Sequence, residues 1–166
     1  MATVTLKGKE IHTNGELPEI GAEAPDFVGV KQDLTELELN NLRGKKVILN
    51  VFPSLDTPVC ASSVRKFNKE AASLPGTVVL AVSKDLPFAQ ERFSSTQGID
   101  NLTPLSVFRC PCFDRYGLTI TDGPMEGLLA RAVIVIDEDG KVIYTELVPE
   151  IAQEPNYEAA IASINR

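Results

Sequence analysis

The segment PSLDTPVCASSVRKF places a cysteine, Cys60, near the start of a predicted helix. Thr57 is a favourable N-cap and Pro58 fits the first helical position, so Cys60 would be the third residue of that helix. The unpaired N–H groups and the positive dipole end of a first turn favour a thiolate over a thiol at this position. Because the thiolate is the nucleophilic form of cysteine, Cys60 is a candidate for nucleophilic redox chemistry.

The alternative is that Cys60 is an inert residue of the core. Cys60, Val64 and Phe67 recur at helical spacing, and free cysteine is among the most buried residue types. Pro53 stands four residues before Thr57 and directly after a predicted strand, so the motif P-x-x-x-T-x-x-C occupies a strand-to-helix turn. Because α/β folds place their chemistry at such turns, the position favours the catalytic interpretation.

Other kinds of chemistry have little support in the sequence. His12, the sole histidine, lies in a predicted hairpin with no motif around it, and we interpret it as a surface residue. No cysteine–histidine pair and no zinc ligand cluster can be proposed, so we expect neither a metal ion nor a cofactor. Ala-Ser-Ser follows Cys60, so the C-x-x-C motif of a thioredoxin-like disulfide oxidoreductase is absent. A non-enzymatic redox sensor with one reactive cysteine is the other candidate function.

Alternating strand and helix patterns are predicted to position the motif. An apolar run over Val47–Phe52 predicts a buried strand just before it. Strands and helices that alternate in this way predict an α/β fold with a mixed central sheet, in a single domain over residues 1–166. The other predicted elements are an N-terminal hairpin in about 1–14 that turns at Gly8-Lys9, an extended segment with turns at Pro25 and Gly44, strands at 76–85 and 102–108, a helix at 86–98, a hairpin at 131–148 that turns at Asp139-Gly140, and an amphipathic helix from Pro155 to Arg166.

Composition and charge limit the classes of partner. The chain has 166 residues, 43% of them hydrophobic and 23% charged, which is ordinary for a compact folded protein. A formal net charge of −7 provides no basic stripe, so we expect neither nucleic acid nor an acidic membrane as a partner. No apolar run has the length of a signal peptide or a membrane span, and we expect a cytoplasmic protein. Three cysteines do not make a disulfide framework.

The sequence resembles the peroxiredoxins and, within them, the thiol peroxidase group of bacterial atypical two-cysteine enzymes. Four segments carry the resemblance, in family order and over nearly the whole chain: NVFPSLDTPVCASSVRKFN, SKDLPFAQERF, DGPMEGLLARAVIVIDEDGKV and EPNYEAAI. The first segment is highly specific. The resemblance implies a thioredoxin fold with an added N-terminal hairpin, a homodimer, and reduction of hydrogen peroxide and organic hydroperoxides with thioredoxin as the electron donor.

The resemblance also implies roles for four residues. Cys60 would be the peroxidatic nucleophile and would become a sulfenic acid. The Thr57 hydroxyl would hydrogen-bond the sulfur or the peroxide, unless it caps the backbone N–H of Cys60 instead. Pro53 would wall off one side of the pocket, and Arg131 would favour the thiolate and bind the peroxide oxygens. From position alone, Arg131 would be an ordinary surface residue at a strand edge.

The resolving step departs from the family pattern. The thiol peroxidase group has its resolving cysteine in a segment of the form R-F-C, and this chain has Arg92-Phe93-Ser94 there. A serine cannot form a disulfide. The residues leave two explanations open, a natural one-cysteine variant or a substitution introduced to hold the protein reduced.

Cys110 and Cys112 match no catalytic position of the family. Cys-Pro-Cys is too short to bind a metal ion without further ligands, so we interpret the pair as packing residues or modest surface thiols. An open alternative is that one of them resolves the Cys60 sulfenic acid if nearby helices unwind.

Overall fold

A computed structural model describes residues 1–165 of the chain, and Arg166 lies outside the described residues. Most of the predicted elements are present. The strands are β1 (Thr3–Leu6), β2 (Lys9–His12), β3 (Val28–Val30), β4 (Glu36–Glu38), β5 (Lys46–Val51), β6 (Thr77–Ser83), β7 (Thr103–Ser106), β8 (Ala132–Ile136) and β9 (Val142–Leu147). The helices are α1 (Pro58–Ala71), α2 (Pro87–Gln97) and α3 (Tyr157–Ile164), with two short 3₁₀ helices at Leu39–Leu42 and Pro111–Tyr116.

Seven strands form one mixed sheet in the order β4-β3-β7-β6-β5-β8-β9. The strands β5, β6 and β7 are parallel, whereas β8 runs antiparallel to β5 and β9 antiparallel to β8. Three parallel strands place their carboxyl ends at one edge of the sheet. The segments that follow β5, β6 and β7, including the one that carries Cys60, therefore begin at that edge.

The core has two layers, one on each face of the sheet. Successive strand residues point to opposite faces, so Val47, Leu49 and Val51 enter one cluster while Ile48 enters the other. Residues of α1 and α3 cover the Ile48 face, and Phe93 of α2 packs against the same cluster. The opposite face is covered by Val4 and Ile11 of the N-terminal hairpin and by the segments around the second 3₁₀ helix. The predicted α/β fold with a mixed central sheet is confirmed.

The N-terminal hairpin is confirmed, but its turn is one residue earlier than predicted. Lys7 and Gly8 occupy the turn with φ of 51° and 82°, and two successive positive φ values are those of the type I′ turn that suits a tight hairpin. Lys9 already pairs with Leu6 as the first residue of β2. The placement at Gly8-Lys9 is therefore wrong by one position.

Two other expectations need correction. The segment around Pro25 and Gly44 is more than an extended connection, because β3 and β4 within it pair as an antiparallel hairpin. Strands of three residues are too short to show the alternation of buried and exposed side chains by which a strand is predicted.

The C-terminal helix begins at Tyr157 instead of Pro155, since Asn156 is its N-cap and its side chain accepts from the Ala159 N–H at 3.0 Å. The part of its prediction that falls on Arg166 lies outside the described residues.

Candidate active site

Cys60 lies in the first turn of α1, as predicted. Thr57 has extended backbone angles and Pro58 is the first helical residue, so the helix begins where the motif indicated. The Cys60 side chain is fully buried and free, in the core layer that contains Ile48, Val64 and Phe67. The sulfur is therefore out of contact with solvent in this structure.

Arg131 brings its guanidinium to the sulfur of Cys60. Its Nη2 lies 3.1 Å from the Cys60 Sγ, and the side chain is only 1% exposed. Arg131 precedes β8 and lies an even number of positions before Val133 and Val135. Alternate residues of a strand point to the same face, so Arg131 points with these two valines into the Cys60 layer. The interpretation of Arg131 as a surface residue at a strand edge is wrong.

The guanidinium is held from a second side by a backbone carbonyl. The Arg131 Nε donates to the Ile151 carbonyl oxygen at 2.8 Å, and the Val148 N–H donates to the Arg131 carbonyl. Nη1 is buried and has no hydrogen-bond partner among residues 1–165. One nitrogen of Arg131 is thus anchored, one contacts the sulfur, and one remains available as a donor.

Ile151 is itself held by the N-terminal hairpin. Its N–H donates to the Thr5 carbonyl at 2.9 Å, and the Thr5 N–H donates to the Pro149 carbonyl at 2.7 Å. The Glu150 carboxylate accepts from the N–H groups of Ala152 and Gly8 at 2.8 and 2.9 Å, and these bonds lower the pKa of Glu150. The hairpin therefore supports the carbonyl that anchors Arg131.

Thr57 stands at the mouth of the site with its hydroxyl turned toward the preceding loop. Its Oγ1 donates to the Ser54 carbonyl at 3.1 Å and makes no capping bond to the helix. The expected bonds from this hydroxyl to the sulfur or to the Cys60 N–H are not among the contacts of the described residues. The oxygen keeps its acceptor capacity because its proton is used elsewhere.

A pocket of about 300 Å³ has Arg131, the residue that contacts the buried Cys60 sulfur, in its wall. Pro53, Thr57 and Arg131, three of the residues singled out from the sequence, contribute to its wall. Most of the remaining lining is apolar and comes from the N-terminal hairpin, α1 and two loops: Leu6, Lys7, Pro58, Val59, Met125, Ile151 and Ala152. The fold thus brings Pro53, Thr57 and Arg131 together around one small cavity, and Arg131 links that cavity to the buried sulfur of Cys60.

Asp85, which the sequence did not single out, fixes the loop before α1. Its carboxylate accepts from the Ser54 hydroxyl at 2.7 Å, from the Leu55 N–H at 2.8 Å and from the Ser83 hydroxyl at 2.8 Å. Asp85 lies in the connection from β6 to α2, and its bonds join that connection to the one after β5. Its position at the end of a predicted buried strand was the available signal.

A second polar contact fixes α1 on the sheet. The Asn50 side chain of β5 donates to the Ser63 hydroxyl at 3.2 Å, and that hydroxyl donates to the Cys60 carbonyl at 2.9 Å. Both side chains are fully buried. Asn50 interrupts an otherwise apolar strand, and this interruption is the only sequence signal for the contact.

Ser94 lies on α2 and not in the pocket. Its side chain is 8% exposed, and its hydroxyl has no hydrogen-bond partner among residues 1–165.

His12 is half-buried instead of being a plain surface residue, because its Nδ1 lies 2.6 Å from the Asp122 carboxylate. This contact lowers the pKa of Asp122.

Cys110 and Cys112 are joined by a disulfide, with their Cα atoms 5.0 Å apart. The interpretation of the two residues as separate packing or surface thiols is therefore wrong. Both sulfurs belong to the layer that contains Phe113 and Tyr116, on the face of the sheet opposite Cys60.

Two searches of the described residues concern other kinds of site. Within residues 1–165, no group of three or more His, Cys, Asp or Glu side chains is placed to hold a metal ion. None of the described helices has the length and apolar character needed to cross a membrane.

Comparison with known proteins identifies the family. The Redoxin family model matches residues 19–161 of the chain. The chain belongs to the redoxin family. A thiol peroxidase of Mycobacterium tuberculosis is 58% identical over 164 residues, which cover 99% of each chain. A thiol peroxidase of Corynebacterium glutamicum is 52% identical over 165 residues, 99% of this chain and 100% of the relative.

Solved structures agree with this membership. The crystal structure of a peroxiredoxin-like protein from Aquifex aeolicus superimposes with a TM-score of 0.95 at 42% identity, over 99% of this chain and 96% of that chain. The resemblance to the thiol peroxidases and the thioredoxin-like fold of the peroxiredoxin type are confirmed. This redoxin is a thiol peroxidase, and thus an enzyme of the peroxiredoxin class.

Proposed function

We propose that this thiol peroxidase reduces hydrogen peroxide and organic hydroperoxides through a sulfenic acid on Cys60. The observation that carries the proposal is the 3.1 Å contact between the Arg131 Nη2 and the Cys60 Sγ, together with the small pocket whose wall includes Arg131. In the reaction, the Cys60 thiolate attacks one peroxide oxygen and the O–O bond breaks. The other oxygen leaves as hydroxide or alkoxide and takes a proton to give water or an alcohol.

Arg131 has two tasks in this proposal. Nη2 stabilises the thiolate, and the free Nη1 donates to the peroxide oxygen on which negative charge develops. The anchor on Ile151 keeps the guanidinium in one orientation, so no reorganisation is needed when the peroxide arrives.

Thr57 and Pro53 complete the site. The Thr57 oxygen, whose proton is donated to Ser54, can accept the O–H of a hydroperoxide and orient it. Pro53 presents an apolar wall that limits access of water to the sulfur. A largely apolar pocket of about 300 Å³ has room for a small organic group, which supports organic hydroperoxides as substrates beside hydrogen peroxide.

We further propose recycling by thioredoxin, a homodimer and a cytoplasmic location. The reductant follows from membership of the thiol peroxidases, and Cys60 must be reduced again in a compartment that has thiol reductants. Three large apolar side chains are 40–68% exposed and support a dimer contact: Leu86 just before α2, Phe88 in the first turn of α2, and Phe108 in the connection after β7. We do not expect nucleic acid or membrane partners, because the net charge of −7 offers no basic surface.

The test is peroxide consumption over many turnovers with thioredoxin, its reductase and NADPH. The Cys60→Ser variant is expected to consume no peroxide, whereas Ser95→Ala, a change at an exposed position of α2, keeps the full rate. Retained turnover by Cys60→Ser would remove Cys60 from the mechanism. A chain that reacts with only one equivalent of peroxide, whatever reductant is supplied, would be a sensor and not a peroxidase. Sedimentation measures the dimer separately.

A further inference from the structure

The Cys110–Cys112 pair is a redox-capable group that the site described above does not use. A disulfide joins the two cysteines, and a single proline, Pro111, separates them in the sequence. Cys110 is 7% exposed, Cys112 is half-buried, and Pro111 is exposed. Cys112 is thus the sulfur that another molecule would reach first.

The pair lies near the edge of the sheet that carries Cys60 but on the opposite face. The pair follows the carboxyl end of β7, and Cys60 follows the carboxyl end of β5. The strands β5 and β7 lie two positions, or about 10 Å, apart in the parallel part of the sheet. Cys110 packs in the layer of Phe113 and Tyr116, whereas Cys60 packs in the layer of Ile48 and Phe67. The sheet therefore separates the two sulfur sites of one chain.

The chain has only these sulfurs with which to resolve an oxidised Cys60. It contains three cysteines, and serine occupies position 94. Because the sheet keeps Cys110 and Cys112 away from Cys60 of the same chain, we propose that the Cys110–Cys112 dithiol of one copy reduces the Cys60 sulfenic acid of a second copy. This inference rests on the proposed function, which supplies the sulfenic acid.

The reaction has two steps. The Cys112 thiolate attacks the sulfenic sulfur of Cys60, the S–O bond breaks, and hydroxide leaves as water with the proton of the Cys112 thiol. The Cys110 thiolate then attacks the Cys112 sulfur, the mixed disulfide breaks, and Cys60 leaves as a thiolate. Cys60 gains two electrons and the pair loses two. A protein dithiol of the thioredoxin class then reduces the new disulfide.

The three cysteines of the chain differ in their bonding. Cys60 is free and Cys110 is bonded to Cys112. The surroundings of the pair also allow the approach of another protein, since Phe108, Arg109 and Pro111 are exposed.

The test separates donor and acceptor chains. The donor supplies the sulfenic acid: it is Cys110→Ser/Cys112→Ser, which keeps only Cys60. The acceptor takes up the oxidation: it is isotope-labelled, reduced Cys60→Ser, which keeps only the pair. The donor receives one equivalent of hydrogen peroxide, catalase removes the excess, and the acceptor is added. A second sample contains both chains co-expressed, so that mixed assemblies are included. Dimedone reports sulfenic acid on Cys60, and intact mass reports the disulfide.

The expected result is that dimedone labelling of Cys60 is lost and the labelled acceptor loses the mass of two hydrogen atoms. An acceptor that also lacks Cys110, Cys60→Ser/Cys110→Ser, is expected to be trapped as a Cys60–Cys112 mixed disulfide on a non-reducing gel. Persistent sulfenic or overoxidised Cys60 beside a fully reduced acceptor in both samples would overturn the inference. So would oxidation of the acceptor by peroxide alone at the same rate.

The unmodified chain provides a check that does not depend on the folding of the variants. After full reduction and one equivalent of peroxide, peptide mapping is expected to find a free Cys60 thiol and a Cys110–Cys112 disulfide. Oxidised Cys60 beside two free thiols would overturn this inference alone. If Cys60 never gives a dimedone adduct in the donor chain, the proposed function fails as well.

Discussion

The guanidinium of Arg131 joins Cys60 to the backbone of Ile151, with Nη2 3.1 Å from the sulfur and Nε 2.8 Å from the carbonyl oxygen. Lysine keeps the charge but has a single nitrogen, so it cannot make both contacts. A hydrogen bond to a charged group contributes about 1.5–3 kcal/mol, so Arg131→Lys is expected to slow peroxide attack by about 10- to 100-fold. Rapid-mixing kinetics of Cys60 oxidation measure this.

The matched control is Arg65→Lys on the exposed side of α1, whose guanidinium bonds Gln97 and Ser62. It should leave the oxidation rate unchanged. Alkylation of Cys60 at neutral pH provides a second measurement, and it should slow in Arg131→Lys because the thiolate loses its partner. Equal alkylation rates in the two variants would show that Arg131 does not act on the sulfur.

Thr57 combines a loop contact with a place in the pocket wall. Thr57→Val removes the hydroxyl that donates to the Ser54 carbonyl and is expected to lower the free energy of unfolding by about 1 kcal/mol. It should also slow peroxide reduction, because the acceptor oxygen is lost. Thr57→Ser keeps that oxygen and should retain most of the activity. Activity that is retained in Thr57→Val and lost in Thr57→Ser would indicate that the methyl group, not the hydroxyl, matters.

Asp85 holds the loop before α1 through bonds to Ser54 and Leu55. Asp85→Ala leaves the Leu55 N–H without its acceptor, and a buried donor without a partner costs about 1–3 kcal/mol. We expect a lower urea midpoint and faster hydrogen exchange over residues 54–60. Asp56→Ala, at the adjacent exposed position, is the control and should change neither quantity. Unchanged exchange in Asp85→Ala would mean that the loop holds its shape without the carboxylate.

Glu150 makes the hairpin contact dependent on pH. Its pKa is lowered by bonds from the Ala152 and Gly8 N–H groups, so its stabilisation is complete above the unfolded pKa and is lost as pH falls through the lower folded pKa. Glu150→Gln should therefore melt below the parent at pH 7, and the two melting temperatures should converge as the pH falls through the lowered folded pKa of Glu150. Glu10→Gln, an exposed change in β2, is the control. A difference in melting temperature that does not change with pH would contradict this account.

Ser94 is buried and its hydroxyl lacks a partner among the described residues, so a thiol should fit there without loss of stability. Ser94→Cys is expected to melt at or slightly above the parent temperature. After one equivalent of peroxide, the introduced thiol should form a disulfide with Cys60, as the family pattern implies. Ser95→Cys, one residue further and exposed, should form none. If the thiol introduced by Ser94→Cys stays reduced beside an oxidised Cys60, α2 does not resolve this enzyme.

Local interactions determined the features that were predicted well. The start of α1 depends on Thr57, Pro58 and their immediate neighbours, and the burial of Cys60 follows from helical spacing over residues 60–67. The hairpin at Asp139-Gly140 and the end of α2, which Gly98 caps, also depend on turn and cap residues close together in the sequence. Such signals lie within a few residues of each other, so they predict local structure without any knowledge of the tertiary fold.

The tertiary structure decided which distant groups meet at the sulfur. The parity of Arg131 with Val133 and Val135 was present in the sequence, but only the pairing of β8 with β5 brings that face to Cys60. The anchor on Ile151 is a backbone carbonyl, which every residue type carries, so no side chain could indicate it. Cys110 and Cys112 were plainly neighbours in the chain, yet their face of the sheet depends on long-range packing. Residue types and short spacings specify local geometry, whereas the identity of contacts between distant segments arises only when the core closes.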